Sequence, residues 1–98
     1  DRREAACRFL GRVPDAEPLA LIRREVDDIV AVTDDEVAEA MRVLFSDTHN
    51  VGEGAGAAAL AAALQQRESL CGQRVGVTLC GGNVDRDVFA RVLAGASR

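Results

Sequence analysis

The chain has 98 residues, of which 48% are apolar and 29% are charged, and this is the size and composition of one small folded domain. Its formal net charge of −4 argues against a surface for nucleic acid or for an anionic membrane. No apolar run approaches the roughly 18 residues of a transmembrane helix, and the N-terminus lacks the apolar stretch of a signal peptide.

The basic and sulfur-containing residues exclude several chemistries. All 12 basic residues are arginine, so this chain offers no lysine amine for a Schiff base, a phosphate contact or a general base. The cysteines are Cys7, Cys71 and Cys80, and with His49 as the single histidine they predict neither a disulfide scaffold nor a zinc site. We expect reduced cysteines and a cytoplasmic location, in a bacterium with a GC-rich genome.

Five segments carry helical patterns. Thr33 and Glu36 have the spacing of a capping box, and apolar residues then recur at helical spacing as far as Phe45. We expect this helix to end near Asp47–Asn50. The other predicted helices are Arg3–Leu10, Glu17–Val26 with Pro18 in its first turn, a buried Ala- and Leu-rich helix over Ala57–Arg67, and a last helix that begins at Asn83–Asp85 and ends near Ala94.

Two segments rich in β-branched residues, Asp27–Val32 and Arg74–Cys80, predict strands. Two helices separate them, so we expect parallel strands with a right-handed crossover, the second buried on both faces. The predicted fold class is therefore α/β, an α-β-α-α-β-α segment with two parallel strands. Because two strands leave open sheet edges, we expect a piece of a larger three-layer αβα domain, or self-association.

Two glycine-rich segments are candidates for a ligand site. The turn Gly52–Gly56 fits neither a dinucleotide fingerprint nor a phosphate loop, and a plain connection between helices is the alternative. Cys80 precedes Gly81 and Gly82 at the carboxyl end of a predicted strand, which is where open α/β sheets bind ligands. The alternative is that Cys80 is a small buried apolar residue.

The other polar residues give weaker indications of a catalytic or metal site. A nucleophilic Cys80 would need His49 as its base, and nothing in the sequence places the two together. The carboxylates after Thr33 suit helix capping and solvation better than a metal site. They are Asp34, Asp35, Glu36 and Glu39.

Three segments in order, Val26–Val37, Glu53–Ala62 and Val77–Asp85, resemble the C-terminal part of the threonine/serine dehydratases, also called threonine ammonia-lyases. These are pyridoxal-phosphate (PLP) enzymes of fold type II, the tryptophan-synthase-β-like group that includes serine racemase. The resemblance covers about Val13–Ala94 and implies two parts. Residues 1–12 lie outside it, and residues 13–98 form the C-terminal part of the large PLP-binding domain.

The resemblance also implies roles for individual residues. Cys80 takes the position, more often serine in the family, that partners the pyridine nitrogen of the cofactor. A neutral, poorly reactive thiol would donate a hydrogen bond there. Glu53 implies polar positioning near the ring, Gly81 and Gly82 allow close approach, and Asn83 resembles, weakly, a nucleotide-effector position of the racemase branch.

The family's Schiff-base lysine, catalytic serine and phosphate loop have no match in this sequence. The implied function is therefore the C-terminal portion of a threonine dehydratase of isoleucine biosynthesis, which converts threonine to 2-oxobutanoate and ammonia, and the chain alone is expected to be inactive. If Arg98 is the natural end, the parent lacks a regulatory domain.

Expected partners are an amino-acid substrate, threonine or serine, and the remainder of the dehydratase chain or a second copy, with no nucleic acid and no membrane. Two alternatives stay open. One is a non-catalytic α/β remnant that binds a partner chain or a small effector. The other is a serine dehydratase or a racemase-like PLP enzyme.

Overall fold

The computed structural model describes residues 16–97, which belong to two compact units. The boundary in the sequence lies between residues 31 and 32. In the first unit, helix α1 spans Ala16–Glu25 and confirms the helix predicted there. Pro18 lies in its first turn, where a missing backbone N–H costs no hydrogen bond. The helix predicted over Arg3–Leu10, Cys7 and the domain boundary at residue 12 lie outside the described residues.

Helix α2 spans Asp34–Val43 and begins with the predicted capping box. The Glu36 N–H donates to Thr33 Oγ1 at 3.1 Å, and the Thr33 N–H donates to Glu36 Oε1 at 2.9 Å. These two bonds satisfy backbone donors that a helix start otherwise leaves without partners. The helical backbone continues as a π-helix over Leu44–Thr48, within the region where the sequence predicts its end.

Helix α3 spans Gly54–Gln65 and helix α4 spans Arg86–Leu93, which confirms the two remaining helices predicted within this part of the chain. Helix α3 begins before the predicted start at Ala57, so two glycines lie in its first turn. Across residues 16–97, no helix is long and apolar enough to cross a membrane.

The core of the second unit lies where α2 packs against α3 and α4. Ala40 of α2 and Ala57 of α3 are both 0% exposed, and their small side chains let the two helices approach closely. The rings of Phe45 and Phe89 meet edge to face with centroids 5.6 Å apart. The buried apolar residues are Ala38, Ala40, Met41, Leu44, Ala57, Ala61 and Val92.

The predicted fold class is wrong for the part of the chain that the structure describes, because residues 16–97 contain helices and no strand. Asp27–Val32 and Arg74–Cys80 both lack regular secondary structure. Within this range the backbone groups of residues 75–79 form no hydrogen bond. Val75 is 48% exposed and Val77 is 45% exposed, so the predicted burial on both faces is wrong as well.

The physical reason lies in where each kind of structure finds its hydrogen bonds. A helix satisfies its own backbone, so a local pattern is enough to specify it. A strand needs a neighbouring ladder, and β propensity measures how well side chains fit a half-buried pleated surface. The described residues supply no such surface for either segment.

Candidate functional site

Two segments that are distant in sequence contact each other in the second unit. We call residues 51–53 the Glu53 turn and residues 80–82 the Cys80 segment. The Glu53 N–H donates to the Gly81 carbonyl oxygen at 3.1 Å. A Cβ built on Gly82 would lie 2.6 Å from the Val51 carbonyl oxygen, so this contact is between bare backbones. The structure therefore brings the two glycine-rich candidate segments into contact.

Gly56 in the first turn of α3 makes this close approach possible. A Cβ at Gly56 would lie 2.5 Å from the Gly81 carbonyl oxygen and 2.6 Å from the Cys80 carbonyl oxygen. Both atoms belong to backbone, which cannot give way as a flexible side chain can. Gly56 ends the candidate turn Gly52–Gly56, but no role of its own was predicted for it from the sequence. The signal that was present is the alternation of glycines that ends at Gly56, directly before a run of alanines.

Glu53 is the N-cap residue of α3, but its side chain makes no capping hydrogen bond. Its Oε1 atom instead occupies the space that a Cβ on Gly81 would need. Gly81 has a φ angle of +94°, which also favours glycine. Across residues 16–97, no donor bonds to the half-buried Glu53 carboxylate. This carboxylate can therefore accept a hydrogen bond from a bound molecule.

The Cys80 thiol is free and exposed, so Cys80 is not the small buried apolar residue of the alternative interpretation. The strand that was expected to end at Cys80 is absent, so the prediction that Cys80 lies at the edge of a sheet is also wrong. The contact of its carbonyl oxygen with the first turn of α3 places Cys80 beside the Glu53 turn for a different reason.

The remaining candidate residues are not among those that form the contact between the Glu53 turn and the Cys80 segment. Asn83 is exposed. His49 follows the π-helix, and its ring centroid lies 6.3 Å from that of Phe45. Glu36 serves the capping box of α2. No group of three or more His, Cys, Asp or Glu residues in the described range could hold a metal ion.

Comparisons with known proteins give this site its chemical context. A family model described as "Pyridoxal-phosphate dependent enzyme" matches residues 5–81. The chain is 49% identical to a phenylserine dehydratase of Ralstonia pickettii, over 74% of this chain and 23% of that protein. It is 40% identical to an L-threo-3-hydroxyaspartate ammonia-lyase of Saccharomyces cerevisiae, over 78% of this chain and 23% of that protein.

An L-threonine ammonia-lyase of Thermotoga maritima is 36% identical over 74% of this chain and 18% of that protein. The chain thus spans less than a quarter of the length of these relatives. The family match covers most of the chain, and the names of these three relatives describe dehydratases and ammonia-lyases. The chain belongs to the pyridoxal-phosphate-dependent enzyme family, and it is similar to dehydratases and ammonia-lyases of that family.

Proposed function

We propose that this chain forms the part of the cofactor site that faces the pyridine ring in a PLP-dependent dehydratase of β-hydroxy amino acids. The observation that carries the proposal is the contact between the Glu53 turn and the Cys80 segment. Phenylserine, 3-hydroxyaspartate and threonine, named in the relatives, are all α-amino acids with a β-hydroxyl group. Threonine is our first candidate substrate, with 2-oxobutanoate and ammonia as products.

The residues at this contact suit the ring of the cofactor. A flat ring needs bare backbone for close approach and polar groups at its edge. Gly81 and Gly82 have no side chains, and both are exposed. Cys80 offers an exposed thiol as a donor, and Glu53 offers a carboxylate without a donor among residues 16–97.

In this proposal each side chain has one task. When bound, pyridoxal phosphate supplies an electron sink for the negative charge that develops at the α-carbon of an amino acid. Cys80 would donate its S–H to the ring nitrogen and leave that nitrogen unprotonated, a setting that suits loss of a β-hydroxyl group. Glu53 orients polar groups beside the ring. Asn83, which is exposed, is the candidate for contact with an effector.

Proton transfer requires a residue from outside this chain. The sequence contains no lysine, so the amine that binds the cofactor and removes the α-proton must come from the rest of a longer protein. The 98-residue chain therefore holds one side of the site and does not catalyse the reaction by itself.

The first experiment uses the natural full-length protein and its Cys80→Ser, Cys80→Ala and Cys71→Ala variants. Native mass spectrometry and visible absorbance measure bound pyridoxal phosphate. We expect the cofactor to co-purify, Cys80→Ser to keep it, and Cys80→Ala to weaken its binding. Cys71 is also a free, exposed thiol and lies outside this contact, so Cys71→Ala is the matched control. A colourless protein, or a Cys80→Ala variant that binds normally, would contradict the proposal.

A second experiment tests the substrate. Threonine, serine, phenylserine and 3-hydroxyaspartate are supplied in turn, and the released ammonia and the keto acid are measured. We expect equal amounts of both products, with threonine among the substrates. Conversion of serine to its enantiomer without ammonia would instead assign a racemase. No conversion of any of the four would favour a non-catalytic remnant.

A further inference from the structure

The chain enters the Glu53 turn from the π-helix, through a residue with unusual backbone angles. His49 has φ 59° and ψ 30°, and it is the only residue other than glycine with positive φ in the part of the chain described. A π-helix is rare in proteins, and it occurs frequently at functional sites. A left-handed residue with a side chain persists only where its surroundings hold it in place.

Two side chains hold this left-handed residue from both sides. Thr48 Oγ1 donates to the Leu44 carbonyl oxygen at 2.6 Å, and Asn50 Nδ2 donates to Thr48 Oγ1 at 2.9 Å. The Asn50 N–H also donates to the Leu44 carbonyl oxygen at 3.3 Å. Thr48 and Asn50 thus close a loop around His49 and direct the chain back over Leu44.

The residues that follow this loop form the site. A Cβ on Gly52 would lie 3.1 Å from Leu44 Cδ1, in the core, and 3.1 Å from Leu79 Cδ1, directly before the Cys80 segment. Gly52 therefore lies between Leu44 of the core and Leu79, the residue before Cys80. A change in chain direction at Asn50 would move the Glu53 turn away from the Cys80 segment.

We propose that Thr48 and Asn50 are positioning residues, which hold the Glu53 turn where its N–H reaches the Gly81 carbonyl. Neither side chain is assigned a contact with the cofactor, and both act through the backbone of the turn. The functional meaning of this role rests on the proposed function, whereas the positioning itself is a property of this chain.

The test uses the 98-residue chain and hydrogen exchange measured by NMR. The quantity measured is the exchange rate of the Glu53 amide, at the N-cap of α3, divided by that of the Ala61 amide inside α3. Exchange through global unfolding affects both amides, so the ratio removes its contribution. Thr48→Val and Asn50→Ala should each raise this ratio about tenfold, as expected for loss of one hydrogen bond. The amide signals of Gly81 and Gly82 should move in the same variants.

Two further variants separate positioning from a general structural effect. Ser69→Ala removes a hydroxyl that donates to the Gln66 carbonyl at 2.9 Å outside the site, and it should leave the ratio unchanged. Thr48→Ser keeps the hydroxyl and should restore the natural ratio. If Asn50→Ala does not fold, Asn50→Asp removes the amide donor at nearly constant size.

The proposal is overturned if the ratio stays within about twofold in the Thr48 and Asn50 variants, or if Ser69→Ala raises it equally. No cofactor is needed for this measurement. An unchanged ratio would contradict the positioning role but not the proposed function. A full-length protein that binds no pyridoxal phosphate would contradict the proposed function but not the positioning role.

Discussion

The carboxylate of Glu53 occupies the space beside Gly81 that the side chain of any other residue would fill. The backbone N–H of Glu53 donates to the carbonyl oxygen of the same glycine at 3.1 Å. Gly81 therefore meets two separate requirements, since it accommodates the carboxylate and has a φ angle of +94°. These requirements can be measured one at a time, because other glycines of the chain meet only one of them.

Gly81→Ala should lower the free energy of unfolding by about 2–3 kcal/mol, because backbone strain and a steric overlap add. Gly95→Ala is the matched control, since Gly95 has φ +112° and no atom within 4 Å of a built Cβ. This control should lose about 1 kcal/mol through backbone strain alone. Urea denaturation measures both variants. Equal losses would mean that the Glu53 carboxylate does not restrict Gly81.

Gly56→Ala should destabilise the chain, whereas Gly54→Ala should stabilise it, although both lie in the first turn of α3. Alanine favours a helix over glycine by up to about 1 kcal/mol. At Gly54 the new methyl group would lie 3.8 Å from Val37 Cγ1, an ordinary contact. At Gly56 it would meet backbone oxygens at 2.5 and 2.6 Å, and we expect a net loss of about 1–2 kcal/mol.

Thermal unfolding of the two variants gives the comparison directly. The order of stability should be Gly54→Ala, then the natural chain, then Gly56→Ala. Gly56→Ala should also shift the amide signal of Gly81, since that backbone must move to admit a methyl group. A Gly56→Ala variant as stable as Gly54→Ala would show that the Cys80 segment gives way without cost.

The sequence was sufficient for features that depend on neighbours along the chain. The capping box of Thr33 and Glu36 was predictable because a helix start recruits acceptors from its own first turn. The prediction of a strand over Arg74–Cys80 was wrong, because a strand is specified by the surface it packs on, and this chain does not provide that surface within residues 16–97.

The same distinction applies to the candidate site, where single residues were predictable from the sequence but the contact between them was not. Cys80, Glu53, Gly81 and Gly82 were named from motifs and from a resemblance. The contact of the two segments was not predictable, because it depends on how α3 meets residues far along the chain. Gly56 illustrates the difference, since its importance lies in two carbonyl oxygens that no local pattern reveals.

Arg42 of α2 forms hydrogen bonds with the C-terminal end of α4. Its Nη1 atom donates to the Val92 carbonyl oxygen at 2.9 Å and to the Ala96 carbonyl oxygen at 3.2 Å. A cation at the end of a helix also interacts favourably with the helix dipole. Arg42→Ala should therefore lower the free energy of unfolding by about 1–2 kcal/mol, measured in urea.

Arg86→Ala is the control for Arg42→Ala, because the Arg86 side chain is 96% exposed and lies 3.7 Å from Asp87. A surface pair of this kind contributes little, so we expect a change within about 0.5 kcal/mol. Similar losses in both variants would mean that Arg42 stabilises only through its charge. Arg42→Lys should recover part of the loss, since lysine keeps the charge but not the planar donor group.

Stability should fall in acid partly through Glu36. The Thr33 N–H, which donates to the carboxylate, lowers the pKa of Glu36 below its ordinary value of 4.5, and the Gln65 amide adds to this effect. A carboxyl whose pKa is lower in the folded state binds protons more readily when unfolded. Its contribution is therefore complete above pH 4.5 and is lost as the pH falls through the lowered folded value.

Glu36→Gln isolates this contribution, because glutamine can still accept from the Thr33 N–H in a capping box but does not titrate. We expect the free energy of unfolding of Glu36→Gln to fall less steeply below pH 4.5 than that of the natural chain, with parallel curves above it. Urea denaturation from neutral pH to pH 3 measures both slopes. Identical acid slopes would mean that the capping box gains nothing from the charge of Glu36, and that the bond to Thr33 acts only as a neutral cap.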